Sequence, residues 1–205
     1  MLYKKIQLEN KTIGIWKVTE TQEELQSLVA SDTLFLNELE GVHSEKRKRE
    51  KLATHCLLKE LCGDSFCLEY LPSGKPQLVE SDDYVSISHS ADYVAVALSK
   101  LPVGVDIQQK DGRVLSLKRR FVSADEYVDP RNEVTHLLLH WSAKEALFKW
   151  LGLSEISLTE QLHVKPFALA ETGFFEMCET KTENQHVVQA YYEVETDFVL
   201  VVAGN

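Results

Sequence analysis

From Glu133 to Leu151 apolar residues return at helical spacing: Val134, Leu137, Leu138, Trp141, Phe148 and Leu151 fall on one stripe, and Gly152 ends it. A helix with one apolar face needs a second layer to cover it. The chain supplies strands for that purpose on both sides. Residues 84–88, 93–98 and 103–107 are short β-rich runs and predict three adjacent strands, while residues 189–193 and 198–203 predict a hairpin. Further upstream, residues 13–18 read as a strand. Residues 21–39 read as one helix capped by Thr21 with Glu24 three positions on, and residues 44–61 as a second helix that begins at Ser44 and stops at Gly63. The fold class is therefore α+β. Ser99, Lys100, Leu101 and Pro102 form the only hinge, dividing the chain into 1–100 and 101–205, and halves of about a hundred residues must share a core or pack closely.

Charge narrows the partners. The 205 residues carry 22 basic and 32 acidic side chains, a net charge of −10, which argues against a nucleic-acid binder. Two basic islands interrupt this acidity, one at Lys46, Arg47, Lys48, Arg49, Lys51 and Lys59, the other at Lys110, Arg113, Lys118, Arg119 and Arg120. They suit two separate anionic partners, or else they are solvated helix faces. Four cysteines without paired spacing read as reduced thiols. Neither a signal-peptide core in the first sixteen residues nor a membrane-length apolar run is present, so a soluble, cytoplasmic protein is expected.

Glu145 is the anomaly in the apolar stripe. At about 100° per residue it falls roughly 40° from Trp141, with Phe148 about 20° to the other side. A carboxylate facing inward needs a cation, a metal or a strong donor. Lys149, one turn on, makes an ordinary i,i+4 pair by spacing, which suits an exposed face better than an inward one. A second carboxylate, Asp106, ends the run Val103-Gly104-Val105, and strand alternation puts Gln108 on its side. Oxygen ligands at a strand end, with a helix carboxylate, suit Mg²⁺, although Asp-x-Gln alone is also an ordinary strand end. Lys75 in Gly74-Lys75-Pro76, and His89 among Ser86, Ser88 and Ser90, are of the types that grip phosphate, yet no Walker loop is present. His136 and His140 have zinc-chelating spacing but lack the accompanying glutamate of a metalloprotease, and Ser88, His89 and Asp106 form a triad by type only.

The order Gly74-Lys75-Pro76, then Ser86-Ile87-Ser88-His89-Ser90, then Gly104-Val105-Asp106-Ile107, then Trp141-Ser142-Ala143-Lys144-Glu145-Ala146-Leu147-Phe148-Lys149 resembles the 4′-phosphopantetheinyl transferase superfamily, two-half type. The segment from Lys118 to Tyr127 resembles the stretch before the family's catalytic helix. The resemblance implies two similar α+β halves about a pseudo-twofold axis, with the site in the cleft between them. It implies Mg²⁺-dependent transfer of phosphopantetheine from coenzyme A to a serine of an acyl or peptidyl carrier protein, with release of adenosine 3′,5′-bisphosphate. Asp106, Glu145 and Lys149 match the catalytic positions, and Asp106, Glu145 and Gln108 the metal positions. Lys75, His89, Lys46 and Arg49 match contacts to the nucleotide. Lys144 and residues 118–120 are expected to steer an acidic carrier protein. A monomer that binds neither nucleic acid nor membrane is implied.

Two positions depart from the family. Gln108 stands where many two-half members carry Glu, so weaker metal binding with activity kept is expected. His55 stands where an Arg is frequent, which removes one nucleotide contact. A non-catalytic relative that binds coenzyme A or carrier protein is the competing reading. A different Mg²⁺-dependent phosphoryl-transfer enzyme is the third.

Overall fold

The computed structural model describes residues 1–204. Strands β1 (Leu2–Leu8) and β2 (Lys11–Lys17) lead into helices α1 (Gln22–Leu28), α2 (Thr33–Glu40) and α3 (Glu45–Cys62). A small ribbon of β3 (Leu68–Tyr70) and β4 (Pro76–Leu78) precedes β5 (Tyr84–Ser90) and β6 (Tyr93–Ser99). After Pro102 come β7 (Gly104–Gln109), a single turn α4 (Val114–Leu117), α5 (Glu133–Leu151), β8 (Leu162–Val164), β9 (Thr172–Glu179), β10 (Val187–Val194) and β11 (Phe198–Ala203).

Two antiparallel sheets result, ordered β1-β2-β6-β5 and β7-β11-β10-β9-β8. Each holds the same connection: a strand, a helix, then a hairpin whose second strand pairs with the first. In one sheet these are β2, α3, β5 and β6; in the other, β7, α5, β10 and β11. Leu52, Leu57 and Leu58 of α3 pack on one outer face and Leu137, Leu139 and Leu147 of α5 on the other. The inner faces meet through Ile13, Ile15, Val105, Ile107, Leu200 and Val202, so the two sheets share a core.

Local signals account for several helix ends. Thr21 and Glu24 form the expected capping box, Ser44 accepts from the Arg47 amide, and Gly152 adopts φ 64°, the left-handed cap that favours glycine. The expected single helix over residues 21–39 is instead two helices. Asp32 accepts from the Phe35 amide and starts α2, a cap that competes with continuation of α1.

The expected third strand beside β5 and β6 is also differently placed. β7 pairs with β11 and only borders β5. Helix α5 has its predicted limits, but of the predicted stripe only Leu137 and Leu138 are buried. Val134, Trp141, Phe148 and Leu151 are half-buried, whereas Leu137, Leu139, Ala143, Lys144, Ala146 and Leu147 are almost wholly enclosed. The sheet covers one side of α5, and Phe121, Val128, Leu158 and Phe167 cover another, so apolar periodicity does not mark a single inward face.

Close approach of α5 to β7 depends on Gly104. A Cβ there would lie 1.9 Å from the Ala146 carbonyl oxygen and 2.8 Å from the Trp150 nitrogen, both backbone atoms that cannot rotate away. Gly104→Ala is expected to lower stability by about 3 kcal/mol through overpacking. Urea unfolding checks this, and an unchanged midpoint would refute the close contact.

Candidate active site

Asp106 lies on β7 where the two sheets meet and is 2% exposed. Its Oδ1 accepts from the Ser88 hydroxyl at 2.8 Å and from Lys149 Nζ at 2.9 Å, and its Oδ2 accepts from Gln108 Nε2 at 3.1 Å. Lys149 also donates to the Val105 carbonyl at 2.9 Å. The strand therefore brings Asp106 and Gln108 together, as alternation requires. The ammonium of Lys149 pairs with Asp106 and not with Glu145, so the i,i+4 pair on α5 does not form.

Glu145 is half-buried and, among the described residues, forms no hydrogen bond or ion pair. Burial raises its carboxyl pKa, the charge of Asp106 raises it further, and Lys149 opposes both. Two carboxylates that repel each other, one of them without a partner, fit a hard divalent cation. No three His, Cys, Asp or Glu side chains converge as a metal site among the described residues. The available donors are thus two carboxylates and the Gln108 amide oxygen, a set that suits Mg²⁺ with water or phosphate oxygens as further ligands.

Clefts open on both sides of this point. One, of about 340 Å³, is lined by Gly74, Lys75, Ile87, Phe148, Lys149 and Gly152, so that two lysines face one space. Lys75 is carried on the β3–β4 turn, where Gly74 has φ 84°, and its Nζ lies 3.0 Å from where a Gly152 Cβ would stand. That places a cation by the carboxyl end of α5, where the helix dipole favours it. The other cleft, of about 470 Å³, is lined by Lys46, Ser90, Gln108, Arg113, Leu138 and Trp141. Glu145 stands one turn of α5 from Trp141 on one side and from Phe148 and Lys149 on the other.

The remaining predicted residues are distributed around these clefts. His89 lies on the face of β5 opposite Ser88, with Nδ1 3.7 Å from Glu50 Oε1, and Lys46 Nζ is 3.7 Å from the same oxygen. Arg49 donates through Nη2 to the Glu20 carbonyl at 3.1 Å, tying α3 to the segment before α1. Ser86 and Ser88 are buried, and their hydroxyls bond within the protein. His55 is enclosed between Phe35, stacked at 3.9 Å, and Phe66, with Asp32 Oδ2 3.2 Å from its Nε2.

Lys144 corrects the sequence reading most sharply. It is fully buried and donates to Glu126 Oε2 at 2.6 Å and to the Leu158 carbonyl at 2.8 Å, so it cannot meet a partner protein. Glu126 was not singled out from the sequence. It also accepts from the Ser123 amide and hydroxyl and from the Val164 amide, and it binds the loop before α5 to both α5 and β8. The pattern Ser123-x-x-Glu126, a capping-box spacing, was the available signal.

Residues 102–203 match the 4′-phosphopantetheinyl transferase superfamily. Over 86 residues the chain is 37% identical to the 4′-phosphopantetheinyl transferase psf-1 of Bacillus pumilus, covering 39% of this chain and 37% of that protein. It is 35% identical over 85 residues to the 4′-phosphopantetheinyl transferase Sfp of Bacillus subtilis (strain 168), covering 38% of each. It is 31% identical over 84 residues to the 4′-phosphopantetheinyl transferase gsp of Aneurinibacillus migulanus, covering 38% of this chain and 35% of that one. The match spans little more than a third of the length of these curated relatives. With the Asp106, Glu145 and Lys149 cluster inside the matched segment, the chain belongs to the 4′-phosphopantetheinyl transferase superfamily.

Proposed function

We propose that this protein transfers the 4′-phosphopantetheine arm of coenzyme A to a serine hydroxyl of an acyl or peptidyl carrier protein, with release of adenosine 3′,5′-bisphosphate. The observation that carries this reading is the unpartnered Glu145 beside the Asp106–Lys149 pair, with Lys75 and Lys149 facing one cleft. The relatives named 4′-phosphopantetheinyl transferase support the same reaction.

The chemistry follows from the residues present. Lys75 and Lys149 hold the anionic nucleotide and pyrophosphate by charge in one cleft, while Lys46 lines the other, and the roles of Lys46, His89 and Arg49 as nucleotide contacts come from the family resemblance. Asp106, Glu145 and, after rotation of its amide, Gln108 would hold Mg²⁺, which would neutralise charge on the pyrophosphate. Glu145 has lone pairs that no protein donor occupies, and burial with the neighbouring Asp106 charge raises its pKa, which suits a proton acceptor. It accepts the proton of the carrier serine as that oxygen bonds to the β-phosphorus. The bond from that phosphorus to the bisphosphate breaks, and Lys149 stabilises the charge on the phosphoryl oxygens. Positioning and charge supply most of the rate in such a transfer.

The same reading makes the chain a pseudo-twofold pair of halves, 1–100 and 101–205, with the site between them. Repetition of the strand, helix and hairpin connection in both sheets supports it. A cytoplasmic monomer belongs to the proposal. No helix among the described residues is long and apolar enough to cross a membrane.

Intact-protein mass spectrometry of an apo acyl carrier protein with coenzyme A, Mg²⁺ and this protein tests the proposal. The expected result is a gain of one phosphopantetheine together with adenosine 3′,5′-bisphosphate. Tight coenzyme A binding with no gain on acyl or peptidyl carriers would assign a binding module instead. Neither binding nor transfer would overturn the reading.

A further inference from the structure

Strands β5 and β7 are the facing edges of the two sheets, yet no main-chain ladder joins them. Ser86, Ser88 and Ser90 occupy alternate positions on β5 and so share one face. Their hydroxyls accept the amide N–H groups of Val105 at 2.9 Å, Ile107 at 3.4 Å and Gln109 at 3.0 Å, each nineteen residues further along the chain. Three side chains thus stand in for three backbone carbonyls. A hydroxyl differs from a carbonyl in one respect that matters here, since it also has a proton to give. Ser88 gives its proton to Asp106 Oδ1 at 2.8 Å, and Ser90 donates to Gln108 Oε1 at 3.4 Å.

The Ser88 contact is buried at both ends, with Ser88 6% and Asp106 2% exposed. Water cannot replace it, so an unmade bond there carries its full cost. Lys149 is the second donor to Oδ1, from the helix side. Oδ1 is therefore held between a donor from the first sheet and a donor from α5, which fixes the carboxylate's rotation. Ser86 makes the same cross-sheet bond to a backbone amide but donates to neither Asp106 nor Gln108.

The geometry points to Ser88 as the positioning residue for Asp106, transmitting the placement of the first sheet to the carboxylate on the second. For its role in catalysis, this rests on the transfer reaction proposed above. Ser88→Ala should weaken Mn²⁺ binding by the protein alone about tenfold and lower kcat by a similar factor, with KM for coenzyme A little changed, the effect of one buried hydrogen bond. Ser88→Thr keeps the hydroxyl and should restore both. Ser86→Ala removes only the cross-sheet bond, so it should lower the unfolding midpoint and leave Mn²⁺ affinity at the wild-type level.

Equal Mn²⁺ affinities in Ser88→Ala and Ser86→Ala would overturn the assignment and leave the comb of serines as a joint alone. A crystal structure of Ser88→Ala, or of Ser88→Cys should the alanine variant not fold, decides without metal or substrate. Rotation of the Asp106 carboxylate supports the positioning role, and an unmoved carboxylate overturns it. Absence of transfer by the wild type, with the Mn²⁺ and structural results as expected, would remove the proposed reaction and keep the role of Ser88.

Discussion

Glu145→Gln is expected to reduce phosphopantetheine transfer by about 10²–10⁴-fold, the range for losing a general base, and at the same time to raise the unfolding midpoint in buffer free of divalent cations. The two effects have one origin. Burial and the neighbouring Asp106 charge both disfavour the ionised form of Glu145, and only Lys149, already bonded to Asp106, opposes them. A folded-state pKa above the ordinary value of 4.5 means that the ionised side chain destabilises the fold at neutral pH. Glutamine keeps the shape and removes the charge, and with it the proton acceptor. Intact-mass kinetics and thermal melts on the same two samples check the pair of outcomes. A midpoint that falls together with the rate would mean that Glu145 supports the fold, and an unchanged rate would remove it from the chemistry.

The parts of this site that were legible in the sequence are those whose signal is local. Thr21, Ser44, Gly63 and Gly152 mark helix ends because a cap is decided within one turn. Glu145 stands out as a carboxylate inside an apolar stripe and Asp106 as one that ends an apolar run, and the order of four short motifs connects them. What was not legible is decided between elements. Lys144, next to Glu145 in sequence, reads as a flanking cation until the loop carrying Glu126 closes over it. Ser86, Ser88 and Ser90 read as no more than the surroundings of His89 until the adjoining strand shows them to be a joint. Strand β1 was missed because an edge strand exposes both faces, and only Ile6 is buried in it. Strand β9 ends in a buried glutamate, Glu179, which breaks the apolar alternation because its carboxylate binds the Thr182 and His186 amides of the loop that follows.

Lys144→Met is expected to cost about 3–5 kcal/mol at pH 7, the penalty for leaving one member of a buried ion pair alone. Burial on its own would raise the Glu126 pKa. His140, Lys144 and the Ser123 and Val164 amides outweigh it and hold the carboxyl at about 2. A depressed folded-state value contributes stability that is present above the ordinary 4.5 and is lost as pH falls from 4.5 toward 2. His136, lowered by burial and then by the charge of His140, adds a loss of the same sign once pH drops below its ordinary 6.5. The wild type should therefore lose stability in two stages on acidification. In Lys144→Met the Glu126 carboxyl has lost a main donor and its pKa rises, so the lower stage weakens while the His136 stage stays. Urea midpoints measured from pH 7 to pH 3 should show the gap between wild type and variant narrowing below 4.5. A gap independent of pH would mean that Lys144 acts through volume alone. Glu126→Gln in the Lys144→Met background should then recover part of the loss, because the stranded charge is what costs the stability.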